Sequence, residues 1–169
     1  MALPVAAGYG SAMQTVHPPI PLPDDHATTA LGRALAARVG PGDTVMLQGG
    51  LGAGKTHLAR ALIQALLPVP EDVPSPSFTL VQTYDGPRYE IWHADLYRLS
   101  GQGDVDELGL DQAMSRALCL IEWPDRLADP PPGALWLELQ IDGEARIARF
   151  ASADPGWTDR LKGLADVHA

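Results

Sequence analysis

A glycine-rich segment at residues 49–56 (GGLGAGKT) constrains the fold of this chain more than any other feature. The run 44–48 (TVMLQ) before it favours a β-strand, and leucines at spacing four after Lys55 predict a helix. The segment fits the pattern G-x-x-x-x-G-K-[ST] in full. Strand, glycine-rich turn and helix in this order are typical of a phosphate-binding loop in an α/β protein. The candidate phosphate-binding residues are Gly49, Gly50, Leu51, Gly52, Ala53, Gly54, Lys55 and Thr56.

The residue types in this segment suit a nucleoside triphosphate with Mg²⁺. Glycines let backbone N–H groups approach phosphate oxygens, and the following helix presents unpaired N–H groups at its positive end. Lys55 supplies a mobile cation for the β- and γ-phosphates, and the Thr56 hydroxyl is a candidate ligand of Mg²⁺. The alternative is a glycine-rich turn with a surface lysine. The flanking strand and helix favour the phosphate-binding interpretation.

Two carboxylates follow apolar runs and are candidates for the other half of such a site. Glu122 ends the run 118–121 (LCLI), and Asp95 ends the less regular run 91–94 (IWHA). In P-loop enzymes a carboxylate at a strand end holds Mg²⁺ or orients water. Either residue is alternatively a strand end that faces solvent. Residues 75–79 (SPSFT) suit a loop that senses the γ-phosphate through a hydroxyl, or an ordinary turn before a strand.

Proline and glycine divide the rest of the chain into predicted elements. The prolines of residues 1–20 predict a flexible N-terminal segment, and residues 21–169 are expected to form a single domain. A helix is expected to begin after an N-cap at Asp24 or Asp25 and to stop at Gly40. Further strands are expected at 78–84, 89–93, 118–121, 135–141 (half-exposed) and 145–150, with a short helix from Trp157.

Charge and composition argue against several classes of function. The chain has 12 basic and 21 acidic side chains and a formal charge of −9, whereas proteins that grip nucleic acid usually have a basic face. Tight direct binding of RNA or DNA is therefore not expected. No apolar run approaches the ~20 residues that span a bilayer, no secretory leader is visible, and the single Cys119 allows no internal disulfide. We expect a cytoplasmic protein with no membrane partner.

Four segments follow one another along the chain: 52–56 (GAGKT), 75–81 (SPSFTLV), 93–99 (HADLYRL) and 121–124 (IEWP). In this combination the chain resembles the TsaE family, bacterial ATPases that assist the synthesis of threonylcarbamoyladenosine in tRNA. The third and fourth segments are much more specific to the family than the glycine-rich one. The resemblance implies an α/β, P-loop NTPase-like three-layer fold. Its central sheet would be mixed and mainly parallel, extended by antiparallel strands.

The resemblance also implies the chemistry of the site. Lys55 and Glu122 would be the catalytic residues, with Glu122 activating or orienting the attacking water. Mg²⁺ would be held by Thr56, Asp95 and Glu122. Which of the two carboxylates contacts the metal directly stays open.

Three further residues are expected to contact ATP besides the glycine-rich segment: His57, Ser77 and Trp123. Two of these depart from the usual family pattern, which has threonine in place of His57 and of Ser77. Gly50 also departs, because an acidic residue is usual there. The Ser77 departure keeps a hydroxyl, whereas the His57 departure removes one.

The function implied is Mg-dependent ATP hydrolysis by an accessory subunit of the TsaB–TsaD complex, with tRNA contacted only indirectly. Two alternatives stay open: a small-molecule kinase on the same scaffold, and a nucleotide switch that remodels a partner without hydrolysis. The arginines of the second half are scattered and form no evident kinase lid. His93 is either a proton relay or a packing residue, Arg98 a phosphate contact or a solvated side chain, and Cys119 a core residue.

Overall fold

The computed structural model describes residues 13–165, whose strands form a seven-stranded mixed sheet. The strands are β1 (Gln14–Leu22), β2 (Thr44–Gln48), β3 (Val81–Asp85), β4 (Glu90–Asp95), β5 (Leu118–Glu122), β6 (Leu135–Asp142) and β7 (Ala145–Ser152). The helices are α1 (Asp25–Ala36), α2 (Lys55–Leu66), α3 (Gln102–Asp106), α4 (Leu110–Met114) and α5 (Gly156–Arg160), with a 3₁₀ turn at Pro124–Arg126. The strands lie in the order β1-β7-β6-β2-β5-β4-β3.

The four central strands are parallel and the flanking strands are antiparallel. Parallel pairing joins β6 to β2, β2 to β5 and β5 to β4, while β3, β7 and β1 add antiparallel ladders at the two sides. Every residue of β2 and of β5 is buried, as expected for parallel strands that are covered on both faces. The carboxyl ends of β2, β4 and β5 consequently meet at one edge of the sheet.

Helices cover both faces and give the three layers that the resemblance implied. Along β2, Val45 and Leu47 pack in the core beneath α1, α2 and α5, whereas Met46 packs in the core beneath α3 and α4. This division follows from the alternation of side chains along a strand. Helices α1 and α2 approach closely at Gly32, where a Cβ atom would lie 2.7 Å from the Ala61 Cβ. The mixed three-layer α/β fold predicted from sequence is confirmed.

Local signals located most of the elements. Asp24 caps α1 by accepting a hydrogen bond from the backbone N–H of Ala27 at 2.9 Å, as its position before the apolar pattern predicted. The hairpin between β3 and β4 turns through the four residues 86–89, a looser connection than two residues because Pro87 disfavours the tight turn. Strand β5 and the short helix at Trp157 also form where they were expected.

The predicted flexible segment at residues 1–20 is wrong for its last part. Residues 14–20 belong to β1, which pairs with β7 and buries Val16 and Ile20. The prolines are tolerated because β1 is an edge strand with hydrogen bonds on one side only, and its register with β7 is irregular on both sides of His17. Residues 1–12 lie outside the described part of the chain.

Two strand predictions need correction. The strand predicted at 78–84 begins only at Val81, because Phe78 lies in a turn with 85% of its surface exposed. The predicted half-exposed strand at 135–141 is buried on both faces over its first half, since Trp136 packs in the core beneath α3 and α4. Of the helices within residues 13–165, none is both long enough and apolar enough to cross a membrane.

Candidate nucleotide site

The phosphate loop, residues 49–56, runs from the end of β2 into the first turn of α2. Gly49, Gly52 and Gly54 have φ values of 150°, 78° and 103°, a region of backbone space that other residues rarely adopt. A Cβ atom on Gly49 would also lie only 2.7 Å from the carbonyl oxygen of Leu139 on β6. These three glycines are therefore required by the path of the backbone.

The loop presents unpaired backbone donors at the start of α2. Within residues 13–165, the N–H groups of Gly54, Lys55 and Thr56 donate to no backbone carbonyl. The first N–H groups of a helix have no partner inside the helix, and the helix dipole makes this end positive. An anion such as a phosphate group satisfies both the donors and the dipole.

Lys55 lies beneath this end of the helix and is only 5% exposed. Its Nζ donates to the carbonyl oxygens of Gly49 at 2.5 Å and Gly50 at 3.0 Å, and lies 4.0 Å from the ring centroid of Trp123. Burial lowers the pKa of Lys55, and the negative charges of Glu122 and Asp95 oppose that shift. In the described part of the chain no carboxylate oxygen lies within 4.0 Å of Nζ. The ammonium group is thus held by neutral partners and is available to a phosphate.

Glu122 ends β5 and joins the phosphate loop to the neighbouring strand. The Thr56 hydroxyl donates to Oε1 at 2.9 Å and is 3.0 Å from Oε2. His93 Nε2 on β4 lies 2.7 Å from Oε2. Glu122 is 2% exposed and His93 is fully buried. A buried carboxylate is stabilised by hydrogen bonds of this kind, so the two donors fix its position.

Asp95 ends the adjacent strand β4 and lies directly opposite Glu122 in the parallel register. Its Oδ1 accepts the backbone N–H of Tyr97 at 3.0 Å, and its Oδ2 accepts the Ser77 hydroxyl at 3.3 Å. Ser77 belongs to the serine loop, residues 75–79, in which the Ser75 and Ser77 hydroxyls lie 2.6 Å apart. Both strand-end carboxylates face the same site as the phosphate loop, so neither is a solvent-facing strand end.

These elements surround an open cleft of about 280 Å³. Its lining residues are Leu51, Gly52, Ala53, Gly54, Lys55, Thr56, His57, Ser77, Asp95, Glu122 and Trp123. Of the predicted site residues, Gly49 and Gly50 do not line the cleft, and their carbonyls instead hold Lys55 from below. Within residues 13–165 no group of three His, Cys, Asp or Glu side chains forms a metal site by itself. The hydroxyl and carboxylate oxygens present are nevertheless the donors that Mg²⁺ takes when phosphates complete its shell.

Comparison with known proteins identifies the family. The family model described as threonylcarbamoyl adenosine biosynthesis protein TsaE matches residues 22–149. The chain belongs to the TsaE family. Among curated TsaE proteins, the one from Rickettsia bellii is 39% identical over 113 residues, covering 67% of this chain and 78% of the relative. The one from Treponema pallidum is 37% identical over 123 residues, covering 70% and 87%.

A solved structure supports the fold assignment. The crystal structure of Bacillus subtilis YdiB superposes with a TM-score of 0.71 at 24% identity, covering 89% of this chain and 95% of that one. The curated relatives carry the name tRNA threonylcarbamoyladenosine biosynthesis protein TsaE. The resemblance inferred from the four sequence segments is confirmed, and with it a family that takes part in threonylcarbamoyladenosine biosynthesis.

In this TsaE-family chain, the structure shows what surrounds His57 and Gly50, two residues that depart from the family pattern. His57 Nε2 lies 2.7 Å from the Thr29 hydroxyl on α1, so its ring links the two helices at the rim of the cleft. A Cβ atom on Gly50 would meet nothing within 4 Å, so the acidic residue that is usual there has room. Cys119 is a buried core residue, and burial raises the pKa of its thiol to about 12.

Sequence reasoning left three structural partners of the site unassigned: His93, Thr29 and Arg146. His93 carried a signal, because it precedes Asp95 by two residues on one strand and so shares a face with it. Arg146 on β7 donates to the carbonyl oxygens of Gly52 and Ala53 in the phosphate loop. It lies more than ninety residues from Gly52 and Ala53 in sequence, and no local pattern marks the contact.

Proposed function

We propose that this chain binds Mg-ATP in the cleft and hydrolyses it. We further propose that hydrolysis supports the threonylcarbamoyladenosine modification of tRNA, with the chain acting as an accessory subunit of a TsaB–TsaD complex. The observation that carries the proposal is the convergence of three groups on one cleft. These are the buried ammonium of Lys55, the hydroxyl of Thr56 and the doubly hydrogen-bonded carboxylate of Glu122.

Binding relies on the phosphate loop. The unpaired N–H groups at the start of α2 and the positive end of the helix receive the phosphates. Lys55 moves its ammonium from the carbonyls of Gly49 and Gly50 to the phosphate oxygens, exchanging neutral acceptors for charged ones. Trp123 lies over the ammonium and helps to keep water from it.

The Thr56 hydroxyl and the carboxylates of Asp95 and Glu122 would hold Mg²⁺, as the oxygen donors of the cleft. Bound Mg²⁺ supplies positive charge that offsets the negative charge on the phosphate oxygens. The bond between Thr56 and Glu122 keeps the hydroxyl and the carboxylate beside each other at the edge of the sheet. Both groups are therefore already positioned before nucleotide enters.

Hydrolysis needs a group that orients water, and Glu122 is placed for this role. A water oxygen attacks the γ-phosphorus, the bond from that phosphorus to the β,γ-bridging oxygen breaks, and ADP leaves with the electron pair. Glu122 orients the water and accepts its proton. His93, by donating from Nε2 to Oε2, holds the carboxylate in place and acts as a positioning residue.

Two observations support the proposed partners: the family to which the chain belongs and the charge of the chain. The relatives are named for the biosynthesis of a modified nucleoside in tRNA. A chain with a formal charge of −9 is poorly suited to hold tRNA by its phosphates. A partner complex that handles the tRNA, here TsaB and TsaD, resolves that conflict and leaves the chain in contact with tRNA only indirectly.

The decisive experiment measures ATP and GTP turnover by the full chain, alone and with the TsaB–TsaD complex. We expect slow ATP hydrolysis alone and faster hydrolysis with the partners. Lys55→Ala is the inactive comparison, and Lys162→Ala is its matched control, because Lys162 is an exposed lysine that pairs with Asp159. Equal rates with and without partners would count against the accessory role. Equal rates in wild type and Lys55→Ala would show that ATP is not hydrolysed at the proposed site.

A further inference from the structure

Arg146 lies behind the phosphate loop, on the antiparallel part of the sheet. Its Nη2 donates to the carbonyl oxygen of Gly52 at 3.0 Å and its Nε to that of Ala53 at 3.2 Å. Its Nη1 donates to the carbonyl oxygen of Ala145 at 2.8 Å. All three nitrogens of the guanidinium group are thus bonded to backbone carbonyls, two of which belong to the phosphate loop.

Within residues 13–165, Arg146 forms no ion pair with an acidic side chain. In the part of the chain that the structure describes, no carboxylate oxygen lies within 4.0 Å of its guanidinium group. Arg149 on the same strand also has no carboxylate oxygen within 4.0 Å among these residues, but it stands opposite Glu138 in the ladder and its Nε donates to Gln140 Oε1 at 3.0 Å, not to the phosphate loop. Arg146 therefore places a positive charge, engaged by backbone carbonyls and not by an ion pair of the described residues, next to a loop that is built to receive an anion.

The bonds of Arg146 also determine where the loop donors point. In a trans peptide group the carbonyl of one residue and the N–H of the next point in opposite directions. Holding the carbonyls of Gly52 and Ala53 toward Arg146 therefore directs the N–H groups of Ala53 and Gly54 away from it. The Ala53 N–H is used within the loop, on Gly50 at 3.2 Å, whereas the Gly54 N–H has no backbone acceptor in residues 13–165. Gly54 lines the cleft, so its donor is available to a phosphate.

We propose that Arg146 is a positioning residue for the nucleotide phosphates, anchoring the outer side of the phosphate loop so that its N–H groups face the cleft. The inference rests on the proposed function, because it assumes that the cleft receives phosphate. It assigns a role to the β6–β7 hairpin, which also contacts the loop where the Leu139 carbonyl limits the side chain allowed at position 49. Arg146 does not line the cleft, so it acts through the loop.

An anchor of this kind acts on binding more than on the chemical step. Arg146→Ala removes two charge-assisted hydrogen bonds to the loop and one nearby positive charge. We expect the Kd for Mg-ATP to rise by about tenfold or more. At saturating Mg-ATP we expect kcat to change by less than about threefold, since a bound nucleotide restores the loop geometry.

The experiment compares wild type, Arg146→Ala, Arg146→Lys and the matched control Arg149→Ala. Titration calorimetry with Mg-ATP gives Kd, and phosphate release at saturation gives kcat. Hydrogen exchange of residues 52–56 without nucleotide reports the order of the loop itself. Among the variants, we expect faster exchange and weaker binding only for those at Arg146. Arg146→Lys should lie between wild type and Arg146→Ala, because lysine keeps the charge but lacks the paired donors of the planar guanidinium group.

Each outcome distinguishes this inference from the proposed function. Equal Kd values and equal loop exchange in Arg146→Ala and Arg149→Ala would overturn the anchor. A loss of kcat with unchanged Kd would also overturn it. Wild type that binds no nucleoside triphosphate would overturn the proposed function and the phosphate role together, while the exchange measurement, which needs no nucleotide, would still report whether Arg146 orders the loop.

Discussion

The phosphate loop and the serine loop face the same cleft, but they are held in very different ways. The phosphate loop has Ala53 and Lys55 buried, its carbonyls bound by Arg146 and Lys55, and Gly49 pressed against β6. The serine loop reaches the cleft through a Ser77–Asp95 contact at 3.3 Å and exposes Phe78 to solvent. The turn within this loop is closed by the bond from the Leu80 N–H to the Pro76 carbonyl at 2.7 Å.

This difference indicates that the two loops do different work. A loop with many buried contacts is already ordered, so little conformational entropy is lost when ligand binds. Such a loop suits the groups that bind and react. A loop held by few polar contacts near solvent opens at a low cost in free energy, so it can change conformation in response to the nucleotide. Substitutions in the phosphate loop, or in Glu122 and His93 that are hydrogen-bonded behind it, should therefore have large effects. Substitutions in the serine loop should have small ones.

The largest effect is expected for Glu122→Gln. The amide cannot accept the proton of the attacking water, so kcat should fall by about 10²–10⁴-fold. Binding of Mg-ATP should be largely retained, because Lys55, the loop donors and the other two proposed Mg²⁺ ligands, Thr56 and Asp95, are unchanged and the Gln amide keeps an oxygen donor. Phosphate release and titration calorimetry on the same protein check both statements.

Two results would revise the role of Glu122. Unchanged phosphate release would exclude it as the group that activates water. Loss of hydrolysis with normal turnover of the TsaB–TsaD complex would favour the non-hydrolytic switch over the proposed ATPase.

The next effect is on stability, at Gly49. Alanine there would adopt a φ of 150° and place its Cβ 2.7 Å from the Leu139 carbonyl oxygen. We expect Gly49→Ala to lower the free energy of unfolding by about 2 kcal/mol, roughly a thirtyfold change in the folding equilibrium. Denaturant unfolding measures it. Gly50→Ala is the control, because a Cβ there meets nothing within 4 Å. Similar values for the two variants would show that the loop is less constrained than its contacts indicate.

A smaller effect is expected at His93. Removing the bond to Glu122 frees the carboxylate to turn, and we expect His93→Ala to lower kcat by about tenfold while KM changes less. His93→Gln keeps a donor nitrogen and should recover part of the loss. A purely structural role would lower stability in both variants without this recovery in kcat, and thermal unfolding of the two proteins separates the cases.

Local patterns predicted the phosphate loop and the two strand-end carboxylates well, because each of them lies within one short segment of the sequence. The phosphate loop lies in one segment between a strand and a helix, and Asp95 and Glu122 each end an apolar run. Their meeting followed from the rule that parallel strands place their carboxyl ends at one edge. The roles of these residues were suggested by the family resemblance, and the structure adds their distances.

Contacts between distant segments were beyond prediction. Both strands of the β6–β7 hairpin were expected from sequence, but no local pattern places Arg146 of that hairpin against Gly52 and Ala53, more than ninety residues earlier in the chain. The β1 prolines pointed to a flexible segment, but burial of Val16 and Ile20 against the sheet outweighs the lost backbone bonds at an edge. Hydrophobic burial across the fold decided both cases, and it depends on neighbours that the sequence order does not reveal.

The smallest effect is expected in the serine loop and tests the comparison most directly. Ser77→Ala removes the long hydrogen bond to Asp95 and the contact with the Ser75 hydroxyl inside the loop, so we expect KM for ATP to rise by about threefold with little change in kcat. Ser77→Thr keeps the hydroxyl and is the matched control. Steady-state kinetics at fixed Mg²⁺ measures both variants. If Ser77→Ala instead lost as much kcat as Glu122→Gln, the serine loop would take part in the chemical step. The distinction between a fixed phosphate loop and a responsive serine loop would then fail. If the loss appeared only when TsaB and TsaD were present, the loop would be the segment through which the partners sense bound nucleotide.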